Sequence, residues 1–316
     1  MVSQEFFKKF LSRARILART LKRHECRAPS ALDMRHARLD TRPMEFPEIA
    51  GLALAAAVGG AINAVAGGGT LVTFPALLFF GVPAINANAT STLALVIGTS
   101  GSIYGYREHV PAIKRWLWRF LPVSVLGGFL GALLLTHTSN KTFSKLVPFL
   151  ILFATVLFFV QSLIGPRTRR IEDEDEDEDE DESPAHATRN TQHAPRSTLF
   201  ALTFQFAVAL YGGYFGAGIG ILMLASLGWI GLTHIHQMNT LKTILSSLIN
   251  LVAALWFIFA SLVYWPQAAI MTLGALAGYF LGSHYAQRIP QNRVRQIIVL
   301  IGLLLSAVTF YKEFIH

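Results

Sequence analysis

The chain has 316 residues, 53% hydrophobic and 15% charged, too few charges for a soluble domain of this size to cover itself with a polar shell. Its net charge of +8 sits on Lys and Arg in the tail and loops, with no basic face interleaved with aromatics, so nothing points to nucleic acid. A single cysteine, Cys26, excludes an intrachain disulfide framework and any cysteine-based metal site.

Residues 1–46 form a basic tail without a spanning stretch, holding 11 Lys/Arg before residue 46. Phe6, Phe10, Ala14, Leu17 and Leu21 fall at helical spacing, which suits a helix lying on an anionic leaflet. The tail is equally readable as an upstream extension, since Met34 and Met44 offer later starts. A first repeat is expected over 47–164, with apolar segments at 47–66, a short 69–82, 88–106, 117–136 and 142–164. A second is expected over 198–316, with segments at 198–216, a short 218–231, 238–262, 266–287 and 295–314. Charge-free runs of about 20 residues cover the ~30 Å of hydrocarbon and read as membrane helices. Between the repeats, 165–197 carries eleven consecutive carboxylates, Glu172 to Glu182, and reads as a disordered acidic linker.

Sliding the chain by 151 positions pairs Gly67 with Gly218, Gly69 with Gly220, Asn88 with Asn239, and Gly127 and Gly131 with Gly278 and Gly282. The expected fold is therefore an all-α integral membrane protein of two sequence-related halves. Each has five helical segments, one of them short and broken or re-entrant, for eight to ten in all. Orientation stays open: short segments that dip and return make the halves parallel, and short segments that cross make them inverted. Both favoured arrangements put the 107–119 loop and the acidic linker in the cytoplasm.

Each half has a glycine cluster between a long helix and a short one, Gly67-Gly68-Gly69-Thr70 and Gly212-Gly213-Tyr214-Phe215-Gly216-Ala217-Gly218-Ile219-Gly220. A broken helix at membrane depth is tolerated where it lines a cavity or packs on protein. The short helix that follows offers free N–H groups and a positive dipole end, which suit an anion. A polar cluster then opens the third segment: Asn88, Thr90 and Ser91 in one half, Asn239, Thr240 and Lys242 in the other. Lys242 stands where Ser91 stands in the first half, as a balancing charge or as a snorkelling stem. Candidate anion-binding residues are Gly67, Gly68, Gly69, Thr70, Asn88, Thr90, Ser91, Gly216, Gly218, Gly220, Asn239, Thr240 and Lys242. Apart from the tail and the acidic run the carboxylates are Glu48, Glu108 and Glu313, which stand at the flanks of the apolar stretches, so acidic relays of the kind cation carriers use are not expected.

Other signals are weaker. His234 and His236 read as interfacial, and no metal or cofactor is expected. Gly127/Gly131 and Gly278/Gly282 read as close helix packing through small residues. Gly98-Thr99-Ser100-Gly101 with His284 matches the bare outline of an intramembrane serine protease, a string that small-residue runs produce easily. Trp116, Trp118, Trp229 and Trp265 fall near segment ends as interfacial anchors.

Gly67-Gly68-Gly69-Thr70-Leu71, Pro75, Gly81, Pro83 and Ala87-Asn88-Ala89-Thr90-Ser91 resemble the first half of the TauE/SafE family of sulfite exporter-like permeases. Tyr211 to Gly220 and Asn239-Thr240-Leu241-Lys242 are similar to that family's second repeat. The resemblance implies a non-enzymatic permease of a bacterial inner membrane, exporting or exchanging sulfite, a sulfonate or a related sulfur-containing or organic anion. Expected partners are that small anion, the lipid bilayer and, as an option, a second copy of the chain. The rival readings are a passive anion channel and the intramembrane protease.

Overall fold

Glu45 and Pro47 open the first helix: proline at the start of a helix loses no hydrogen bond, because its missing N–H would be unpaired there anyway. The computed structural model describes residues 44–105, 110–178, 195–228, 235–285 and 291–314, so the amphipathic reading of the tail lies outside the described residues. Ten helices follow in order. The first half holds α1 (Phe46–Ala66), α2 (Thr70–Phe79), α3 (Ala84–Gly105), α4 (Val110–His137) and α5 (Asn140–Glu178). The second holds α6 (Pro195–Tyr214), α7 (Ile219–Gly228), α8 (Ile235–Phe259), α9 (Trp265–Tyr285) and α10 (Gln291–Phe314). Among the described residues there is no strand.

Within Phe46–Ala64, Ile113–His137, Asn140–Val160 and Gln237–Phe259 the helices are long and apolar enough to cross a bilayer by length and composition alone. The outer surface is apolar too: Phe79, Phe259 and Phe280 are 83%, 81% and 75% exposed. Such side chains suit lipid, which solvates them without the cost that water imposes.

Small residues set the closest approaches. Gly274, Gly278 and Gly282 of α9, one per turn, lie against Ala53, Ala57 and Ala61 of α1, also one per turn. The three contacts advance together along both chains, so α1 and α9 run in the same direction. Gly127 and Gly131 of α4 meet Phe206–Ala209 and Leu210–Tyr214 of α6 in the same way. These pairs are each other's counterparts: the first helix of each half packs on the fourth helix of the other.

The remaining directions follow from individual contacts. Tyr264 N–H donates to Thr90 Oγ1 and Tyr279 bonds Thr99, so α3 runs with α9. Gly128 touches Ile249 and Trp256 donates to Thr136, so α8 runs with α4. Asn86 Nδ2 donates to Leu262 O just beyond the end of α8, so α8 opposes α3. α2 folds back along α1, with Gly51 against Phe80 and Gly59 against Thr73. α1, α3 and α9 therefore point one way and α2, α4, α6 and α8 the other. The halves begin in opposite senses. They are inverted, and their helices interleave.

The expected linker departs from expectation in one respect. α5 stays helical past Val160, through Arg170 and into the acidic run as far as Glu178. A helix already nucleated in the bundle propagates at low cost, which carries it into the alternating Glu and Asp residues of the acidic run. Residues 179–194 lie outside the described set.

Candidate functional site

The first break begins where α1 runs out. Gly67 takes a left-handed φ of 77° and its N–H bonds back to Asn63 O at 3.1 Å. Gly68 lies under the Phe158 ring and Gly69 against the Gly59 backbone, while a side chain at Gly67 would meet nothing within 4 Å. Thr70 opens α2, half-buried. One turn on, Thr73 Oγ1 donates to Gly69 O at 3.1 Å and lies 2.6 Å from Ser91 Oγ. Ser91, Thr73 and Thr90 are fully buried, and Asn88 is 1% exposed.

The second break is held from within. Gly216 and Gly218 have φ of 82° and 75°, values that favour glycine because a Cβ would crowd the backbone. The Tyr211 hydroxyl donates to Ala217 O at 2.8 Å, closing the loop between them. α7 then starts at Ile219. The aliphatic stem of Lys242 lies across its first turn, with Cδ 3.5 Å from where a Gly220 side chain would begin. Lys242 Nζ donates to Asn239 Oδ1 at 3.2 Å. The stem of a lysine held on Asn239 thus lies against the first turn of a ten-residue helix, the positive end of its dipole.

Both breaks touch the same stretch of α5: Gly218 faces Ala154 and Leu157, and Gly68 faces Phe158. Phe74, Phe143 and Phe215 form an edge-to-face cluster beside them, joining α2 and α5 to the second break.

The thirteen expected site residues divide. Gly216, Gly218, Gly220, Asn239 and Lys242 come together around the start of α7. Thr240, fully buried on the same turn of α8, adjoins them. Of the three expected glycines of the first break, Gly67 is open, whereas Gly68 and Gly69 are used in close packing. Thr90 accepts from the Tyr264 backbone, and Asn88 Nδ2 donates to Tyr214 O at 3.1 Å. Along with Asn86, these groups tie the start of α3 to the second half.

Four polar residues lay outside the expected anion site, Thr99 among them although it stood in the protease outline. Asn63 Oδ1 accepts from Gly69 N–H at 3.4 Å, Asn63 Nδ2 donates to the Tyr279 hydroxyl, and that hydroxyl lies 2.8 Å from Thr99 Oγ1. Thr73 completes the set. A polar residue inside an otherwise apolar span was the available signal. The Ser100 and His284 side chains, on which the protease outline depends, lie outside the described residues, as does His234.

Known proteins resemble this chain over most of its length. The chain is 27% identical over 254 residues to a "Probable membrane transporter protein" of Haemophilus influenzae, covering 80% of this chain and 90% of that one. It is 27% identical over 267 residues to "Probable membrane transporter protein ORF9" of Sinorhizobium sp, covering 83% and 92%. To "Probable membrane transporter protein YfcA" of Escherichia coli K12 it is 25% identical over 266 residues, covering 83% and 90%. No solved structure matches it. The model of the family described as "Sulfite exporter TauE/SafE" matches residues 52–309, nearly the whole interleaved bundle. The chain belongs to the TauE/SafE family, and it is a multi-pass membrane transporter.

Proposed function

We propose that this transporter exports or exchanges a small anion, namely sulfite, a sulfonate or a related sulfur-containing or organic anion. The binding site is centred on Gly218, Gly220, Asn239, Thr240 and Lys242, with Gly67 lining it from the first break. One observation carries the reading: the Lys242 stem lies against the first turn of α7 while its ammonium is held on Asn239, so a full positive charge and the positive end of a helix share one neighbourhood. An anion there is held by a full charge and by backbone N–H donors together. Inverted repeats supply the motion, because exchanging the conformations of two like halves moves access from one side to the other.

Side assignment belongs to the same proposal. Lys114, Arg115 and Arg119 begin α4, and Arg167, Arg169 and Arg170 lie on the far extension of α5. The alternating helix directions bring both groups to one end of the bundle. By the positive-inside bias that end, with the acidic run beyond it, faces the cytoplasm of a bacterial inner membrane.

Proteoliposomes loaded with sulfite or a simple sulfonate test the site. Lys242→Ala is expected to remove saturable anion flux, and Lys242→Arg to keep part of it. Undiminished flux in a folded Lys242→Ala protein would return the lysine to a packing role.

A further inference from the structure

The two halves treat one pair of positions differently. On α8, Asn239 and Lys242 are three residues apart and share a face; the ammonium sits 3.2 Å from Asn239 Oδ1. On α3 the matching pair is Asn88 and Ser91. Asn88 Nδ2 donates to Tyr214 O, which fixes which end of the amide is which. Its Oδ1 is then left buried, with no hydrogen-bond partner.

Ser91 points to the same polarity. Thr73 has one hydroxyl proton, and that proton goes to Gly69 O at 3.1 Å. With that proton on Gly69 O the 2.6 Å contact between Thr73 and Ser91 uses the Ser91 proton, and in either sense of that bond Ser91 Oγ keeps a lone pair. Both Asn88 and Ser91 are left presenting oxygen lone pairs on one helix face. That is the partner of a cation or a donor, the reverse of what an anion needs.

We infer that the first half holds an alkali-cation site on Asn88 Oδ1 and Ser91 Oγ, at the place where the second half carries the ammonium of its own Lys242. The ligands are neutral oxygens with no carboxylate among them, which disfavours a divalent ion and fits a monovalent one. Sodium, small enough for a fully buried turn of helix, is the ion to probe. Such a site supplies a countercharge that can travel with the anion or hold the first break closed. The inference goes beyond the anion reading and does not depend on which anion is carried.

The purified full-length chain in detergent is to be melted in sodium, potassium and choline chloride at equal ionic strength. A cation that binds only the folded state raises the melting midpoint in proportion to the logarithm of its concentration above Kd. The expected result is a midpoint that climbs with sodium and stays flat with choline. Asn88→Ala is expected to lose that response. Ser91→Lys is expected to melt at the same temperature in all three salts, because a tethered ammonium then fills the position. Equal midpoints for the unaltered chain in the three salts, which is also the outcome if only water occupies the place, would overturn the site. So would an undiminished sodium response in a folded Ser91→Lys protein. Should that variant not fold, saturable binding of radioactive sodium by the unaltered chain decides in its place, and no saturable binding overturns the proposal. Failure of the anion reading is separable: it shows as undiminished flux in Lys242→Ala with the sodium response intact.

Discussion

The hydroxyl of Tyr211 reaches forward across two left-handed glycines to the Ala217 carbonyl. In an interior without water that carbonyl has few other partners, so the bond stabilises one conformation of the break. Tyr211→Phe is expected to cost about 1 kcal/mol of stability, read as a shift in unfolding by SDS titration, with flux altered more than folding. Lys242 was legible in the sequence because a charge in an apolar run always requires a reason. Asn63, Thr99 and Tyr279 were not. Their cluster joins residues 36 and 180 positions apart, and each alone is a polar group in its own helix. Asn88 and Thr90 were expected to bind the anion because they open the third segment as a polar cluster, yet much of what they hold is backbone of the other half.

At the scale of elements, the bundle depends on helices approaching through small residues. The glycine stripe of α9 was readable from its spacing, but its partner was not, since any small-residue face could have met it. A side chain at Gly278 would run into the Ala57 carbonyl, and one at Gly131 into the Leu210 carbonyl. Backbone cannot yield as a side-chain tip can. Gly278→Leu is expected to cost about 1–3 kcal/mol by overpacking and to lower the yield of monodisperse protein on size exclusion, and Gly127→Leu at the matching contact is expected to do the same. α2 and α7 are elements of another kind. At ten residues each they span about 15 Å, half a hydrocarbon core, and they owe their place to burial against their neighbours: Leu71, Phe74 and Leu77 of α2 are at most 1% exposed. The helical run of α5 to Glu178 shows the converse case, an extension carried beyond the bundle by the helix it continues.

For the whole molecule, the inverted arrangement makes a topological statement that labelling can test. The α4–α5 turn and the α8–α9 turn lie at the same end of an inverted pair and at opposite ends of a parallel one. Ser139 and Ser261 are exposed in those turns. In a background with Cys26→Ser, Ser139→Cys and Ser261→Cys are expected to react with an impermeant maleimide from the same side of the membrane. Labelling from opposite sides would refute the inversion. The linear order of residues by itself determined that the chain spans a bilayer, that it is duplicated at a register of 151, and that each half is interrupted by glycine. Hydropathy, repeat register and backbone permissiveness are properties read along the chain. Tertiary structure alone decided that α2 runs back along α1, that the halves oppose and interleave, and that the Lys242 stem lies over Gly220 while Asn88 Oδ1 goes without a partner. The direction of a ten-residue helix and the partner of a buried polar atom are set by groups distant in sequence, and those meet only when the bundle closes.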